Sequence, residues 1–222
     1  MKTTKDIATY FEEKFPDFKE TLADCSIENN GNAIVSNSPL AFNFDKISEQ
    51  LFSNKLTSVD CIFFKDKFVD FIEFKGGLID RIDTTFKDPK YSCENCNKLH
   101  REGFEYFLKG QKHLKKAMHQ NIQLKISESL YLLLNSILPF CNTVDQSYRL
   151  RFVLVFEAGK IDPVEEYEIL SEDLSKQSKN KLNALLRKYA CSDAQGNKIF
   201  FEDVKIYTNQ EFNNLPFYQQ AN

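Results

Sequence analysis

The stretch SVDCIFFKDKFVDFIEFKGG, which runs from Ser58 to Gly77, decides the fold. It contains two apolar arms rich in β-branched and aromatic residues, separated by the polar break Lys65–Lys67, and this is the pattern of a β-hairpin. A two-residue loop in this break places Asp60 directly opposite Glu73, and a four-residue loop keeps the same pairing. A three-residue loop would shift one strand by one residue and turn the two acids to opposite faces of the sheet. We predict the register in which the two acids meet.

Glu73 and Lys75 share one face of the second arm, because side chains alternate along a strand. With Asp60 opposite Glu73, two carboxylates and one ammonium group occupy a single patch of a largely apolar sheet. Burying such charges is costly unless they are paired. Mg²⁺ would relieve the cost, since it takes oxygen ligands, keeps several waters and is usually held by one or two carboxylates. Lys75 beside such a cation would position a water or stabilise charge that develops on a phosphate.

The order Asp60, twelve intervening residues, Glu73-Phe74-Lys75 and then two glycines resembles the active-site motif of the PD-(D/E)XK nuclease superfamily. The resemblance covers residues 44 to 140, and Val59 stands where the family usually has a proline. It implies an α/β fold with a restriction-endonuclease-like core, in which a central mixed β-sheet is flanked by helices. We therefore expect residues 1–222 to form a single nuclease-like domain with an insertion at about 78–118.

This resemblance also implies an activity, the hydrolysis of DNA phosphodiester bonds by a metal-dependent nuclease that leaves a 5′-phosphate. Asp60 and Glu73, together with the carbonyl of Phe74, would hold Mg²⁺ or Mn²⁺. Lys75 would orient the attacking water. Restriction, repair and phage defence are all compatible with this activity.

Two further residues are candidates because of where family members place similar side chains. Glu49 lies on a short helix predicted at Asp45–Phe52, and family members often place an additional metal-binding glutamate on the helix before the hairpin. The alternative for Glu49 is a solvated glutamate on a helix surface. Lys125 and Ser129 lie one turn apart on a long helix predicted at residues 119–138, and the family often directs a lysine or glutamine from this helix toward the site. The helix is predicted from an apolar stripe, beside which both residues lie, that consists of Ile122, Ile126, Leu130, Leu133 and Ile137.

An acid followed two positions later by a lysine is not rare in this chain. Other examples are the pairs Glu12/Lys14, Asp17/Lys19 and Asp203/Lys205. The pair Glu73/Lys75 differs from them in its context, which is a hairpin with an acid at the facing position and helices expected on both sides. The alternative interpretation is a surface hairpin whose acid and lysine form an ion pair of little energetic value.

A separate motif suggests zinc. Cys93 and Cys96 form a C-x2-C pair, and His100 follows four residues later. These three side chains would suit a structural zinc site, but a second clean pair is missing, and the fourth ligand would have to come from another part of the fold. Reduced cysteines that bind no metal are the alternative. A zinc-stabilised interaction module is therefore one of the competing functions.

A basic stretch follows this motif. No acid occurs from residue 106 to residue 127, although the chain as a whole is acidic. Phosphate contacts come chiefly from Lys and Arg, so this stretch is the predicted nucleic-acid-binding surface. A solvated helix face is the alternative. The candidate lysines are Lys109, Lys112, Lys115, Lys116 and Lys125.

Composition limits the classes of function. The 222 residues carry a formal net charge of −3, which argues against a strongly basic, nonspecific DNA binder. The charge keeps open a second function, a catalytically inactive nucleic-acid-binding or regulatory protein on the same scaffold. RNA as the ligand and assembly as a homodimer also stay open. The first residues lack the apolar core of a secretory signal, and no run approaches the roughly 20 apolar residues of a membrane span, so we expect a cytoplasmic protein with no membrane partner.

The remaining patterns complete the expected order of elements. Helices are predicted at residues 4–22, split at Pro16, and at residues 176–190. Residues 27–43 have the composition of a loop, with a short strand at 33–35. Tyr148–Glu157 is predicted to be a central strand covered on both faces. An edge strand is expected from Asn197 onward, followed by a frayed tail that begins at Pro216.

Overall fold

A computed structural model describes residues 6–28, 31–52, 56–76, 116–117, 119–141, 148–157, 179–180, 182–190, 192, 194–195 and 200–219. Within these residues one six-stranded sheet has the spatial order β1 to β6. The strands up to β4 are antiparallel to their neighbours, whereas β4, β5 and β6 run parallel. The strands are β1 (Lys19–Thr21), β2 (Leu40–Asn43), β3 (Cys61–Lys65), β4 (Phe68–Lys75), β5 (Arg149–Phe156) and β6 (Asp203–Thr208).

The hairpin formed by β3 and β4 has a two-residue loop, which is one of the two loop lengths compatible with the predicted register. Cys61 pairs with Ile72, and this register places Asp60, one residue before β3, at the level of Glu73. Asp66, the first loop residue, has a φ of 55°. The tight turns that suit hairpins require a positive φ at this position, and aspartate tolerates it better than most residues do. The predicted register is therefore confirmed.

Strand β5 is the central strand of the parallel half of the sheet. It lies between β4 and β6, and its second half is buried. Phe152 and Leu154 join the core on one face of the sheet, while Val153 and Val155 join the core on the other. A strand covered on both sides needs apolar residues at consecutive positions, which explains its continuous apolar run. The prediction of a central strand at Tyr148–Glu157 is confirmed within one residue at each end.

Helices cover both faces of this sheet. The first face is covered by α1 (Ile7–Lys14), α3 (Phe44–Leu51), α4 (residues 119–132) and α5 (residues 182–186), and the second by α2 (Leu22–Cys25) and α6 (Asn209–Asn213). The predicted stripe of α4, including Ile122, Ile126 and Leu130, is buried. The α/β class with a mixed, helix-flanked sheet is thus confirmed. None of the described helices combines the length and the apolar character that crossing a membrane requires.

The prediction for the N-terminal region is partly wrong. After α1, Pro16–Phe18 forms a 3-10 turn, and the chain then enters the edge strand β1 in place of a second helix. Proline ends α1 because its ring excludes a further helical turn. Strand β2 lies within the range that was predicted to be a loop, so that prediction is wrong here. The strand has only four residues and follows a Ser-Pro pair, so no clear sign of it is present in the sequence. The short strand expected at 33–35 is reduced to one bridge between Ile27 and Ala33.

The C-terminal tail is packed as far as residue 219 and does not fray there. Pro216–Tyr218 forms a 3-10 turn, and Tyr218 is only 3% exposed. The Tyr218 hydroxyl donates to Asp70 at 2.6 Å, and Asp70 also accepts two hydrogen bonds from the Arg151 guanidinium. This contact joins residues far apart in the chain, so a local sequence pattern cannot predict it. The insertion predicted at about 78–118 lies outside the described residues except for 116 and 117.

Candidate active site

The end of the β3–β4 hairpin opposite its turn carries three of the predicted site residues. Asp60 precedes β3, while Glu73 and Lys75 lie at the end of β4. Because β4 alternates its side chains, Glu73 and Lys75 point toward the face covered by α4. Lys125 reaches the same place from α4, one position before the buried Ile126. The structure therefore brings together four residues that the sequence singled out.

Ion pairs join these four side chains. The Lys125 ammonium group donates to Asp60 Oδ1 and to Glu73 Oε2, at 2.8 Å in each case. Lys75 Nζ lies 2.6 Å from Glu73 Oε1. The second oxygen of Asp60 accepts a hydrogen bond from the backbone N–H of Phe74 at 2.6 Å. The two carboxylates are thus close enough for one cationic centre to contact both.

Burial gives Glu73 unusual acid–base behaviour. Its side chain is fully buried, and this burial, reinforced by the negative charge of Asp60, raises the pKa of Glu73 to about 7 despite the opposing effect of Lys125 and Lys75. Burial disfavours the charged form of Lys125, but attraction to Glu73 and Asp60 outweighs it and raises the pKa of Lys125. A carboxyl group that titrates near neutral pH, next to a lysine that stays cationic, is characteristic of functional sites.

One oxygen of Glu73 lacks a hydrogen bond. Lys75 Nζ is close to Oε1, but its direction of approach does not meet hydrogen-bond geometry, and no other donor among the described residues reaches this atom. A buried acceptor without a donor costs about 1–3 kcal/mol, so such atoms usually have a partner or a function. Glu73 Oε1 is therefore the atom of this cluster best placed to accept a further cationic or hydrogen-bonding group.

Helix α4 also holds the segment that carries Asp60. The Ser129 hydroxyl, one turn after Lys125, accepts a hydrogen bond from the Val59 N–H at 2.8 Å, and both residues are fully buried. The Glu128 carboxylate accepts a bond from the Thr57 N–H. These two contacts fix the backbone immediately before Asp60. The sequence pattern showed Ser129 beside the apolar stripe of α4, but its partner is set by tertiary contact alone.

A polar cavity of about 520 Å³ opens beside the cluster. Asp60, Phe74, Lys75 and Lys125 line one side of it, and α3 contributes Glu49, which is exposed. The structure therefore places Glu49 on the cavity wall, where the resemblance implied an additional metal ligand. Further carboxylates on the described wall come from Asp24, Glu28 and Asp45.

Glu28 is a residue of this wall that the sequence did not single out. Its carboxylate oxygen Oε1 accepts a hydrogen bond from the Gly76 N–H at 2.9 Å, directly after Lys75. The two glycines after the motif were visible in the sequence, but nothing there connected them with a glutamate 48 positions earlier. Such a contact depends on the folded chain.

One of the predicted nucleic-acid-binding lysines, Lys116, is described and does not belong to the cluster. Lys116 is exposed on a helical segment and does not line the cavity. The remaining predictions, the zinc ligands Cys93, Cys96 and His100 and the lysines Lys109, Lys112 and Lys115, lie outside the described residues.

The chemistry of the donor atoms suits a hard cation held by few protein ligands. Asp60 Oδ1 and Glu73 Oε2 both lie 2.8 Å from one nitrogen, and Glu73 Oε1 has an ion pair with Lys75 but no hydrogen-bond donor among the described residues. Mg²⁺ is typically held by one or two carboxylates and keeps several waters as its other ligands. This pair of acids can supply the two carboxylates. No group of three or more His, Cys, Asp or Glu side chains in the described ranges forms a metal site.

Comparison of the chain with family models, with curated proteins and with solved structures finds no match. The interpretation of the site therefore depends on its own geometry and on the motif.

Proposed function

We propose that this protein is a metal-dependent nuclease that hydrolyses DNA phosphodiester bonds. The observation that carries the proposal is the convergence of Asp60, Glu73, Lys75 and Lys125 beside an open polar cavity. The order of elements supports it, since the hairpin is followed by α4 and then by β5 parallel to β4, as the resemblance to PD-(D/E)XK nucleases implies. The same order supports a restriction-endonuclease-like core.

The proposed roles follow from the position of each side chain. Asp60 and Glu73, with the Phe74 carbonyl, would hold Mg²⁺ or Mn²⁺. Glu49 lines the same cavity, but no group of three acidic side chains in the described part of the chain is arranged to hold a metal ion, so Glu49 is not assigned as a ligand. The bound ion would polarise the phosphate and lower the pKa of a coordinated water. The ammonium group of Lys75, whose side chain is 22% exposed, would orient the attacking water at the cavity surface. The water oxygen would form a bond to phosphorus while the bond to the 3′ oxygen breaks, and the 3′ oxygen would take up a proton and leave as a hydroxyl, so the products would be a 5′-phosphate and a 3′-hydroxyl.

The charge of the cavity wall favours a cation as part of this site. Five carboxylates and three ammonium groups line its described part, and Lys75 and Lys125 are already paired with acids. A polyanionic substrate would be repelled by such a wall on its own. A divalent cation would offset this repulsion, because it adds two positive charges at the point where the phosphate must bind.

The test is a cleavage assay on plasmid, linear duplex DNA, single-stranded DNA and RNA, each with Mg²⁺, Mn²⁺ or EDTA. We expect cleavage of DNA with a divalent cation and none with EDTA. Asp60→Asn and Lys75→Met should each lower the rate by more than about 100-fold, since even residues that only support metal ligands cost about 10–100-fold when changed.

A matched control is present in the same chain. Asp203 and Lys205 on β6 have the same spacing as Glu73 and Lys75 and form an ion pair at 2.6 Å, but both are 44% exposed at the sheet edge. Asp203→Asn and Lys205→Met should therefore keep wild-type cleavage. Retained cleavage in Asp60→Asn or Lys75→Met, with the fold intact by circular dichroism, would reject the assignment of the active site to these residues. Absence of cleavage by the wild-type protein with either metal would reject the nuclease function.

One observation favours a second candidate, a nucleic-acid-binding or regulatory protein without turnover. Lys125 contacts both acids and gives them a cationic partner from within the chain. The same assay separates the candidates, because a protein of the second kind would bind nucleic acid in a gel-shift experiment and cleave none of the four substrates with either metal.

A further inference from the structure

The chain leaving β4 is held by a contact on the cavity wall. Gly76, the residue after Lys75, donates its N–H to Glu28 Oε1 at 2.9 Å. Glu28 and Lys75 line the same cavity. The contact therefore fixes the backbone at the point from which the Lys75 side chain extends toward Glu73 Oε1, which is 2.6 Å from its nitrogen.

The two residues approach so closely that only glycine at position 76 leaves the Glu28 carboxylate in this place. A Cβ atom added to Gly76 would lie 2.1 Å from Glu28 Oε1, far inside the contact distance of any real pair of atoms. The nearest atoms belong to the end of a flexible side chain, so a larger residue would displace the carboxylate without forcing the backbone to move. Gly76→Ala is thus a way to break this contact while keeping Glu28 itself.

Glu28 is presented by a backbone that is tied down on both sides. The Glu28 N–H donates to the Asn32 carbonyl at 3.0 Å, and the Gly31 N–H donates to the Glu28 carbonyl at 2.8 Å. Gly31 has a φ of +82°, a conformation that favours glycine. The neighbouring Ser26 hydroxyl is buried and accepts hydrogen bonds from two backbone N–H groups across the loop. These contacts hold the backbone of Glu28, from which the carboxylate extends toward Gly76.

We propose that Glu28 is a positioning residue of the candidate active site, which acts through Gly76 to keep the Lys75 ammonium group in its working position. The inference rests on the proposed nuclease function for its kinetic consequence, but the contact itself does not depend on it. Glutamine has an acceptor oxygen at the same reach as glutamate, so Glu28→Gln should keep the hydrogen bond. Glu28→Ala and Gly76→Ala should both remove it.

The first test measures kcat and KM for DNA cleavage with Mg²⁺. We expect Glu28→Ala and Gly76→Ala to lower kcat by about 10- to 100-fold with KM nearly unchanged, because a misplacement of about 1 Å can cost about 100-fold. The double variant should be no worse than either single one, since both changes break one contact. Glu28→Gln should keep kcat near the wild-type value, and Asp203→Asn, which changes a carboxylate on the edge strand β6 away from the cavity, should leave kcat unchanged.

A second test separates this inference from the nuclease proposal. Reductive methylation followed by mass spectrometry measures how fast Lys75 reacts, with Lys46 as the internal reference. The rate at Lys75 should rise several-fold in Glu28→Ala and Gly76→Ala and stay at the wild-type value in Glu28→Gln. If wild-type protein cleaves nothing, the nuclease proposal fails and this measurement still decides the role of Glu28.

Three results would overturn the inference. Wild-type kcat and Lys75 reactivity in both alanine variants would show that the contact positions nothing. Additive losses in the double variant would show that the two residues act separately. A defect in Glu28→Gln as large as that of Glu28→Ala would show that the negative charge, and not the hydrogen bond, is required.

Discussion

Replacing Glu73 by glutamine should remove a pH-dependent part of the free energy of unfolding. Glu73 is fully buried, and its pKa in the folded protein is about 7, against an ordinary value of 4.5. Burial is the main cause, because the ionised carboxylate loses its hydration, and the nearby charge of Asp60 adds to the effect. Glutamine has nearly the same shape and does not titrate, so the substitution isolates this effect.

The sign follows from proton binding. Between pH 4.5 and pH 7 the folded protein keeps a proton on Glu73 that the unfolded chain has lost, so the folded state is favoured at the lower pH. Stability from this group is therefore complete below pH 4.5 and is lost as the pH rises through about 7. At 1.36 kcal/mol per pH unit, the difference between the two pKa values corresponds to about 3 kcal/mol.

Urea unfolding of wild type and Glu73→Gln at pH 4.5 and pH 8.5 measures this effect, followed by circular dichroism because the chain has no tryptophan. The stability of wild type relative to the variant should be about 3 kcal/mol higher at pH 4.5 than at pH 8.5. The control Glu12→Gln, at a glutamate half exposed on the surface, should keep the wild-type dependence. An equal difference at both pH values, or one of opposite sign, would refute the reasoning.

The same unfolding measurement tests three other substitutions. Ser129→Ala should cost about 1–3 kcal/mol, because the buried Val59 N–H loses its acceptor. Asp66→Val should cost about 1–2 kcal/mol, since a β-branched residue fits poorly at a φ of 55° in the hairpin turn. Arg151→Met should cost about 3–5 kcal/mol, because it leaves the buried carboxylate of Asp70 without its charged partner.

Each of these substitutions has its own control. Ser127→Ala removes a hydroxyl that bonds only within α4 and is exposed, so it should have little effect. Asp66→Gly tolerates the positive φ and should not destabilise as Asp66→Val does. Adding Asp70→Asn to Arg151→Met should recover part of the loss, because the remaining group is no longer charged. If a substitution and its control changed the free energy of unfolding equally, the contact assigned to that residue would be contradicted.

The hairpin shows how far local patterns reach. The polar break between two apolar arms predicted a tight turn, and both loop lengths that keep the two acids opposite each other give the observed pairing of β3 with β4. Side chains two positions apart on a strand point to the same face of the sheet, so the sequence also predicted that Glu73 and Lys75 share a face. The same holds for α4, whose apolar spacing predicted the buried stripe and left Lys125 at its border.

Short elements and long-range contacts were beyond such patterns. Strands β1 and β2 contain three and four residues, too few for an alternation to appear, and they exist because they extend a sheet already formed by β3. The packed tail depends on a hydrogen bond from Tyr218 to Asp70, and the cavity wall on one from Gly76 to Glu28. In each case the partner is distant in the chain.

By itself the sequence determined the α/β class, the hairpin register and the presence of two acids and a lysine on one patch, because these depend on periodicities that a strand or helix repeats every few residues. Only the tertiary structure decided that Lys125 contacts both acids, that Ser129 holds the segment before Asp60 and that Glu28 meets Gly76. Those contacts form when separate elements pack together, and the free energy of packing depends on shape and burial across the whole core, which no local window of residues contains.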